Sequence, residues 1–335
     1  MKKAKGPLFI TGFPRSGTTL LRAILGSHPE IHLFHEPELI GGIRSAGFRI
    51  RDNIRPADRP RLLDHLNKTG ACRKHLSALP PDILSRFIED GRDLSFKETY
   101  ELLLPKPDGV AVWGEKSLNN VFRLREIFRM YPDALVVHIV RDPRSALLSY
   151  YRKRFSHSAA SQPSLGRQAV RFFVYRTLQW CTWVAAVREA IESLEKEVVE
   201  LRYEDLVTDP ELETRRICNA LGVEFDQAML DAARRKEDTA LRRDGAYAHQ
   251  KLLDPVDSAR AHSGSELPDW ATFIIGRYAG EAMKPFGYAL NYSAVSTIAK
   301  LRLIAELRLS ETDMRTKLQR MVSTRLGGQF DFLVP

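Results

Sequence analysis

The chain has 335 residues, of which 44% are hydrophobic and 28% charged, and it carries a formal net charge of +9. This length and composition indicate a globular protein of one large or two ordinary domains, and no apolar run approaches the length of a membrane-spanning helix. The three cysteines form neither a CxxC nor a Cys/His pattern, which argues against a metal site and predicts free thiols in a reducing cytoplasm.

The net positive charge indicates that the protein handles anions. Nucleic acid would also suit this charge, but the sequence contains no recognised nucleic-acid-binding signature and its basic residues are scattered. A basic, non-enzymatic nucleic-acid-binding protein is therefore kept as the alternative from outside the enzymes. Steeply salt-dependent binding without turnover would identify it.

The first predicted elements are a short buried strand over residues 7–11, a glycine loop, and a helix that ends near residue 25. The loop reads GFPRSGTT and has the spacing of a nucleotide P-loop, with Thr18 in place of the lysine that grips the terminal phosphates of ATP or GTP. An atypical P-loop kinase or NTPase is therefore a rival function. Such an enzyme would require Mg²⁺, for which Asp142 is the only good candidate ligand.

The same loop is a candidate anion site even without the lysine. Backbone N–H groups converge where a glycine loop enters a helix, and the helix dipole favours negative charge there. Arg15 adds a planar cation that suits phosphate or sulfate oxygens. Three hydroxyl groups flank it, those of Ser16, Thr18 and Thr19.

The segment FPRSGTTLL, residues 13–21, resembles the 5′-phosphosulfate loop of the sulfotransferases, which use 3′-phosphoadenosine 5′-phosphosulfate (PAPS) as donor. The motifs are most similar to those of tyrosylprotein-type and bacterial carbohydrate or small-molecule sulfotransferases. The resemblance spans about residues 7–290. It implies a transferase that needs no metal and releases PAP. It assigns donor binding to the loop residues Arg15, Ser16, Gly17, Thr18 and Thr19.

A second family segment begins with the apolar strand over residues 134–140. Arg141 follows this strand, Pro143 suits the first position of a helix, and Ser149 lies eight residues after the arginine. This arrangement resembles the 3′-phosphate-binding segment of the sulfotransferases. Because parallel α/β sheets bind ligands at the carboxyl ends of their strands, Arg141 and Ser149 are further candidate donor-binding residues.

Strand and helix patterns alternate along the chain, which predicts an α/β fold with a P-loop-like parallel sheet flanked by helices. The other predicted elements are a largely helical insertion over 41–108, strands over 110–113 and 198–201, and helices over 119–130, 167–194, 209–222 and 269–284. Residues 236–268 are predicted to form an active-site loop in which Gln250 and Lys251 are candidates to close over the cofactor. We expect one sulfotransferase domain over residues 7–290 and a C-terminal helical extension over 293–335.

The resemblance also implies the catalytic groups, which include Arg15 of the glycine loop. Glu36 follows the first helix and matches the carboxylate that acts as the base in tyrosylprotein and several bacterial sulfotransferases. A carboxylate repels an anionic donor, so its presence there favours a proton-transfer role. His35 is the alternative base, because many cytosolic sulfotransferases use a histidine. Lys116, at the end of the 110–113 strand, matches a lysine that contacts the bridging oxygen; an ion pair with Glu115 or another acid is its alternative role.

The acceptor is expected to be a hydroxyl compound, and its class stays open between carbohydrate, peptide tyrosine, lipid and small metabolite. We expect neither a nucleic-acid partner nor a transmembrane segment. Residues 293–335 are predicted to form a basic amphipathic helix and tail. This extension is expected to pack against the domain or to form a homodimer contact, with peripheral binding to a membrane surface as the weaker alternative.

Overall fold

The computed structural model describes residues 6–156, 163–231 and 266–289, together with residues 316–317 and 319–320. Its centre is a five-stranded parallel sheet with the strand order β2-β5-β1-β6-β7. The strands of this sheet are β1 (Leu8–Thr11), β2 (Ile31–His35), β5 (Val112–Lys116), β6 (Leu135–Val140) and β7 (Val198–Arg202). The predicted parallel sheet of a P-loop-like fold is therefore confirmed.

Helices cover both faces of this sheet. They are α1 (Thr18–Leu25), α2 (Leu39–Ser45), α3 (Arg59–Lys68), α4 (Gly70–Leu76), α5 (Pro81–Glu89), α6 (Phe96–Leu103), α7 (Leu124–Met130), α8 (Pro143–Arg154), α9 (Arg167–Leu194), α10 (Tyr203–Thr208), α11 (Pro210–Leu221) and α12 (Asp269–Met283). Side chains alternate across a strand, so Leu8 and Ile10 of β1 join an apolar cluster with α1 and α11, whereas Phe9 joins the cluster that contains α9. None of the helices in the described ranges is long and apolar enough to cross a membrane.

The parallel register aligns the carboxyl ends of the strands at one edge of the sheet. Lys116 of β5 lies opposite Ile10 of β1 on one side and opposite His35 of β2 on the other. On the far side of β1, Val140 at the end of β6 lies opposite Arg202 of β7. The loops that follow β1, β2, β5 and β6 therefore meet at this edge, where parallel α/β sheets bind ligands.

Helix capping follows the sequence signals. Pro143 is the first residue of α8, and the Asp142 side chain accepts a hydrogen bond from the Arg144 N–H. The Asp209 carboxylate accepts a hydrogen bond from the Leu212 N–H at the start of α11, and Gly222 ends that helix in the left-handed conformation. Each of these contacts satisfies backbone groups that a helix end leaves without partners.

Several elements differ from the predictions. Strand β5 covers Val112–Lys116 and so begins and ends later than the predicted strand over 110–113, and the short helix α10 is absent from the predicted elements. Strand β2 is absent from the predicted elements; only Ile31 and Leu33 of its residues are buried, because it is an edge strand. The helix predicted over 119–130 begins as a 3-10 helix (Leu118–Arg123) and becomes α-helical only at Leu124.

The predicted insertion over 41–108 is largely helical, as expected. It contains most of α2 and all of α3 to α6, with a small antiparallel sheet of β3 (Asn53–Ile54) and β4 (Leu94–Ser95). Most of the predicted loop over 236–268, with Gln250 and Lys251, and nearly all of the extension over 293–335 lie outside the described residues.

Candidate active site

Two glycines allow the loop between β1 and α1 to lie in close contact with other elements. A Cβ atom on Gly12 would lie 2.4 Å from the Ile139 carbonyl oxygen of β6. Gly17 has a φ of 93°, and a Cβ there would lie 2.4 Å from the Tyr203 ring. Both positions therefore need glycine, and the loop is pressed against β6 and α10.

The loop offers unsatisfied polar groups to a ligand. Helix α1 begins at Thr18, and its N-cap residue, Gly17, has no side chain that could cap it. The Ser16 hydroxyl is buried and, among the described residues, has no hydrogen-bond partner. Buried polar groups are normally paired, so this hydroxyl and the first N–H groups of α1 suit an anion such as phosphate or sulfate. Thr18 is also buried, and Thr19 lies half-buried in the first turn of the helix.

The candidate donor-binding residues of the two family segments come together at this loop. The Arg15 Nε donates a hydrogen bond to the Ser149 Oγ of α8 at 3.1 Å. The Arg141 Nη1 donates to the backbone oxygen of Arg15 at 3.2 Å. Burial and the charge of Arg141 lower the pKa of Arg15. Two guanidinium groups held this close repel each other, and an anion between them would relieve that repulsion.

Two aromatic residues hold Arg141, and only one of them has a signal in the local sequence. The Tyr203 ring lies under its guanidinium group, with 4.2 Å between the guanidinium carbon and the ring centroid. The Trp180 indole N–H donates to the Arg141 carbonyl oxygen at 3.1 Å. A Tyr-Glu-Asp run directly after a predicted strand is the one local signal for Tyr203. Trp180 lies in the middle of a long helix and carries no such signal.

Glu36 and Lys116 form an ion pair at the ends of neighbouring strands. The Lys116 Nζ donates to the Glu36 Oε1 at 2.5 Å, and the Glu36 backbone N–H donates to the Lys116 carbonyl oxygen at 2.8 Å. The Lys116 side chain is 1% exposed and that of Glu36 is 38% exposed. Burial lowers the pKa of Lys116 to about 8, although the negative charge of Glu36 opposes this shift. The pair joins one buried cation to one carboxylate that solvent can reach.

The alternative role of Lys116, an ion pair, is therefore met by Glu36 and not by Glu115. Glu115 is fully buried, and its Oε1 accepts a hydrogen bond from the Asn120 Nδ2 at 2.5 Å. Neighbouring residues of a strand point to opposite faces, which separates Glu115 from the Lys116 ammonium group. Burial raises the pKa of Glu115 to about 8.

Left-handed backbone conformations are concentrated at this site. Arg15 has a φ of 73°, Glu36 of 49° and Glu38 of 53°, and the described residues contain only one other non-glycine residue of this kind, Glu195. Side chains adopt this region at a cost in energy, and such residues cluster at functional sites. His35 is the last residue of β2 and directly precedes Glu36. The choice of base between these two residues stays a prediction.

The remaining site predictions are the absence of a metal site and the residues that would close over the cofactor. In the part of the chain that the structure describes, no cluster of three or more His, Cys, Asp or Glu side chains is arranged to hold a metal ion. Asp142, the candidate Mg²⁺ ligand of a kinase, instead pairs with the Arg144 guanidinium group, with 2.5 Å between Nη2 and Oδ2. The candidate Lys251 lies outside the described residues.

Comparison with known proteins identifies the family. The model of the Sulfotransferase family matches residues 7–227. A candidate protein-tyrosine sulfotransferase of Caenorhabditis briggsae is 26% identical over 229 residues, which are 67% of this chain and 68% of that protein. Protein-tyrosine sulfotransferase A of Caenorhabditis elegans is 24% identical over 230 residues, which are 67% of this chain and 51% of that protein. The chain thus spans only about half the length of the second relative.

The fold is also similar to that of a solved sulfotransferase structure. The sulfotransferase domain from the Synechococcus PCC 7002 olefin synthase aligns with a TM-score of 0.51 and 19% identity, over 93% of this chain and 96% of that domain. This similarity supports the fold alone. The family match covers more than half of the sequence, and the chain belongs to the sulfotransferase family.

Proposed function

We propose that this member of the sulfotransferase family transfers a sulfuryl group from PAPS to a hydroxyl acceptor. The observation that carries the proposal is the convergence of Arg15, Arg141 and Ser149, which two segments of the chain bring to the same helix N-terminus. The loop residues from Arg15 to Thr19 would bind the 5′-phosphosulfate. Arg141 and Ser149 hold the 3′-phosphate.

The residues present fit such a donor. The buried Ser16 hydroxyl and the uncapped start of α1 supply hydrogen-bond donors, and the two arginines supply positive charge. A guanidinium group is planar and presents several N–H donors, so it suits the oxygens of phosphate and sulfate. When bound, PAPS would supply an activated sulfuryl group attached to a phosphate oxygen.

Glu36 and Lys116 would carry out the transfer from the two sides of the sulfur atom. With PAPS bound, Glu36 would accept the proton of the acceptor hydroxyl as the acceptor oxygen bonds to sulfur and the bond from sulfur to the phosphate oxygen breaks. Lys116 would donate an N–H to that phosphate oxygen, which takes the electron pair of the broken bond. Glu36 then returns its proton to water.

The acceptor class is the part of the proposal that needs direct measurement. Two relatives are named as protein-tyrosine sulfotransferases, which makes peptide tyrosine the first acceptor to try. Incubation with PAPS labelled in its sulfuryl group, with tyrosyl peptides and then with cell extract, would identify the labelled product. Carbohydrate, lipid and small-metabolite hydroxyls are the further acceptors to compare.

Donor binding can be tested without an acceptor. We expect PAP to raise the thermal unfolding temperature and ATP with Mg²⁺ to raise it much less, because Thr18 replaces the lysine that holds terminal phosphates. Thermal unfolding at matched ligand concentrations measures the difference. Equal shifts with PAP and ATP, or robust Mg²⁺-dependent ATP hydrolysis, would support a kinase or NTPase instead.

Arg141→Ala should weaken PAP binding by about 1.5–3 kcal/mol, since it removes a charge-assisted hydrogen bond to the 3′-phosphate. Isothermal titration with PAP measures the loss. The control ligand is the analogue without the 3′-phosphate, for which we expect a much smaller change. An equal loss with both ligands would mean that Arg141 supports the loop through the Arg15 carbonyl and does not read the 3′-phosphate.

A further inference from the structure

The peptide group between Arg141 and Asp142 is held by side chains at both of its polar atoms. This peptide lies between the end of β6 and the start of α8. The Trp180 indole N–H donates to its carbonyl oxygen at 3.1 Å. Its N–H group, that of Asp142, donates to the Glu204 Oε1, also at 3.1 Å. Helices α9 and α10 therefore fix the orientation of this peptide from two directions.

The second carboxylate oxygen of Glu204 is bonded as well. The Tyr288 hydroxyl donates to the Glu204 Oε2 at 2.8 Å, and Tyr288 is buried. The Phe286 ring packs against Trp180 and against Tyr288, with 6.4 Å and 6.1 Å between the ring centroids. The segment that follows α12 therefore supports both of the contacts that hold the peptide.

Helix α10 also supports the side chain of Arg141. Tyr203 is the first residue of this helix and directly precedes Glu204, and its ring centroid lies 4.2 Å from the guanidinium carbon. The peptide contact fixes the backbone direction at Arg141, and the ring supports the guanidinium group. Side chains that must bind a ligand in one geometry are commonly held by such supporting contacts.

Electrostatic attraction does not explain a carboxylate at this place. Glu204 bonds to the residue directly after Arg141, and negative charge near a bound 3′-phosphate is unfavourable. Its geometry does explain it, because Asp142 is buried and its N–H group needs an acceptor. Glu204 therefore acts on the backbone beside the arginine.

We propose that Glu204 is a positioning residue of the donor site, which fixes the peptide after Arg141 and thereby directs the Arg141 guanidinium group at the 3′-phosphate. This inference rests on the proposed function. Glu204 would act through Arg141 and not by contact with the donor. An arginine that is already in place loses little conformational freedom when the phosphate binds, which favours affinity.

The test compares PAP with adenosine 5′-phosphate, which is PAP without its 3′-phosphate. Isothermal titration gives both affinities for the wild-type chain and for Glu204→Met, which has a side chain of similar length but lacks both acceptor oxygens. We expect PAP binding to be about tenfold weaker in this variant and adenosine 5′-phosphate binding to change less than twofold. Wild-type PAP affinity, or an equal loss with both ligands, would overturn the inference.

Two conservative variants separate the reach of the side chain from its charge. Glu204→Gln keeps an oxygen for the Asp142 N–H and should retain most of the PAP affinity. Glu204→Asp keeps the charge but is one methylene shorter, so it should lose PAP affinity as Glu204→Met does. This pair decides the question if Glu204→Met does not fold, because wild-type PAP affinity in Glu204→Asp would also overturn the inference. The matched control is Asp205→Leu, since Asp205 is the next residue of α10 and pairs with Arg202 at 3.2 Å; it should leave both affinities unchanged.

A double variant shows whether Glu204 acts through Arg141. In the Arg141→Ala background, Glu204→Met should change PAP binding by less than a further twofold, because the group that it positions is already absent. A further tenfold loss would contradict the inference. A wild-type chain that binds PAP no better than adenosine 5′-phosphate would overturn the proposed 3′-phosphate site itself, and this inference with it. Thermal unfolding of each variant verifies that it is folded.

Discussion

Glu36→Gln should retain PAP binding and lose about 10²–10⁴-fold in the rate of sulfuryl transfer, the usual contribution of a general base. The amide keeps the shape of the side chain and can still accept the hydrogen bond from the Lys116 Nζ, but it has no affinity for the acceptor proton. Initial rates with PAPS and an acceptor measure the loss, and PAP titration verifies that the donor site is intact.

His35→Ala is the matched comparison, since His35 is the other candidate base and directly precedes Glu36. We expect a milder loss for this variant. Near-normal rates for Glu36→Gln together with an inactive His35→Ala would reverse the two roles. The protein would then resemble the histidine-base sulfotransferases in its mechanism.

Lys116→Met should lower kcat/KM by about 10²–10³-fold, the effect of removing one donor that stabilises developing negative charge. Methionine has a similar length, so the buried space is kept while the charge is lost. Initial rates measure the change. A loss of less than tenfold, with PAP affinity unchanged, would mean that Lys116 serves only to hold Glu36 in place.

The pH dependence of kcat/KM in the wild-type enzyme is an independent test of the role proposed for Lys116. Its pKa of about 8 means that the cation is present below about pH 8 and is lost as the pH rises through that value. Because kcat/KM reports groups of the free enzyme, we expect it to fall above about pH 8. In Lys116→Met this alkaline fall should be absent. A wild-type profile that stays level to pH 10 would contradict the assignment.

The sequence predicted those strands whose own residues form a short apolar run that ends at glycine or proline. Strands β1 and β6 are short runs of buried apolar residues, and glycine or proline punctuation follows each of them. Strand β2 was missed because His32 and His35 interrupt its apolar pattern and because its place comes from pairing with β5. The 3-10 turn at 118–123 likewise depends on a distant contact, since the Thr11 hydroxyl bonds both the Leu118 carbonyl and the Val121 N–H.

The candidate site likewise contains residues that the local sequence predicts and residues that only the fold brings together. Arg15 was predicted from the spacing of the glycine loop and Arg141 from its resemblance to the 3′-phosphate-binding segment, and the fold brings them into contact. The pairing of Glu36 with Lys116 joins residues 80 positions apart on adjacent strands, and no local pattern predicts strand order. Tyr203 belongs to the same class of residue, because its role depends on where α10 returns to the glycine loop.

The left-handed backbone at Arg15, Glu36 and Glu38 would lower folding stability at a site where we assign donor binding to Arg15 and proton transfer to Glu36. Each such residue costs on the order of 1 kcal/mol of folding free energy, which glycine would largely recover. Random mutagenesis with selection for thermostability alone would therefore favour glycine at these positions and discard the candidate base together with the loop arginine. Engineering for industrial use should seek added stability in the helical insertion and keep these three positions unchanged.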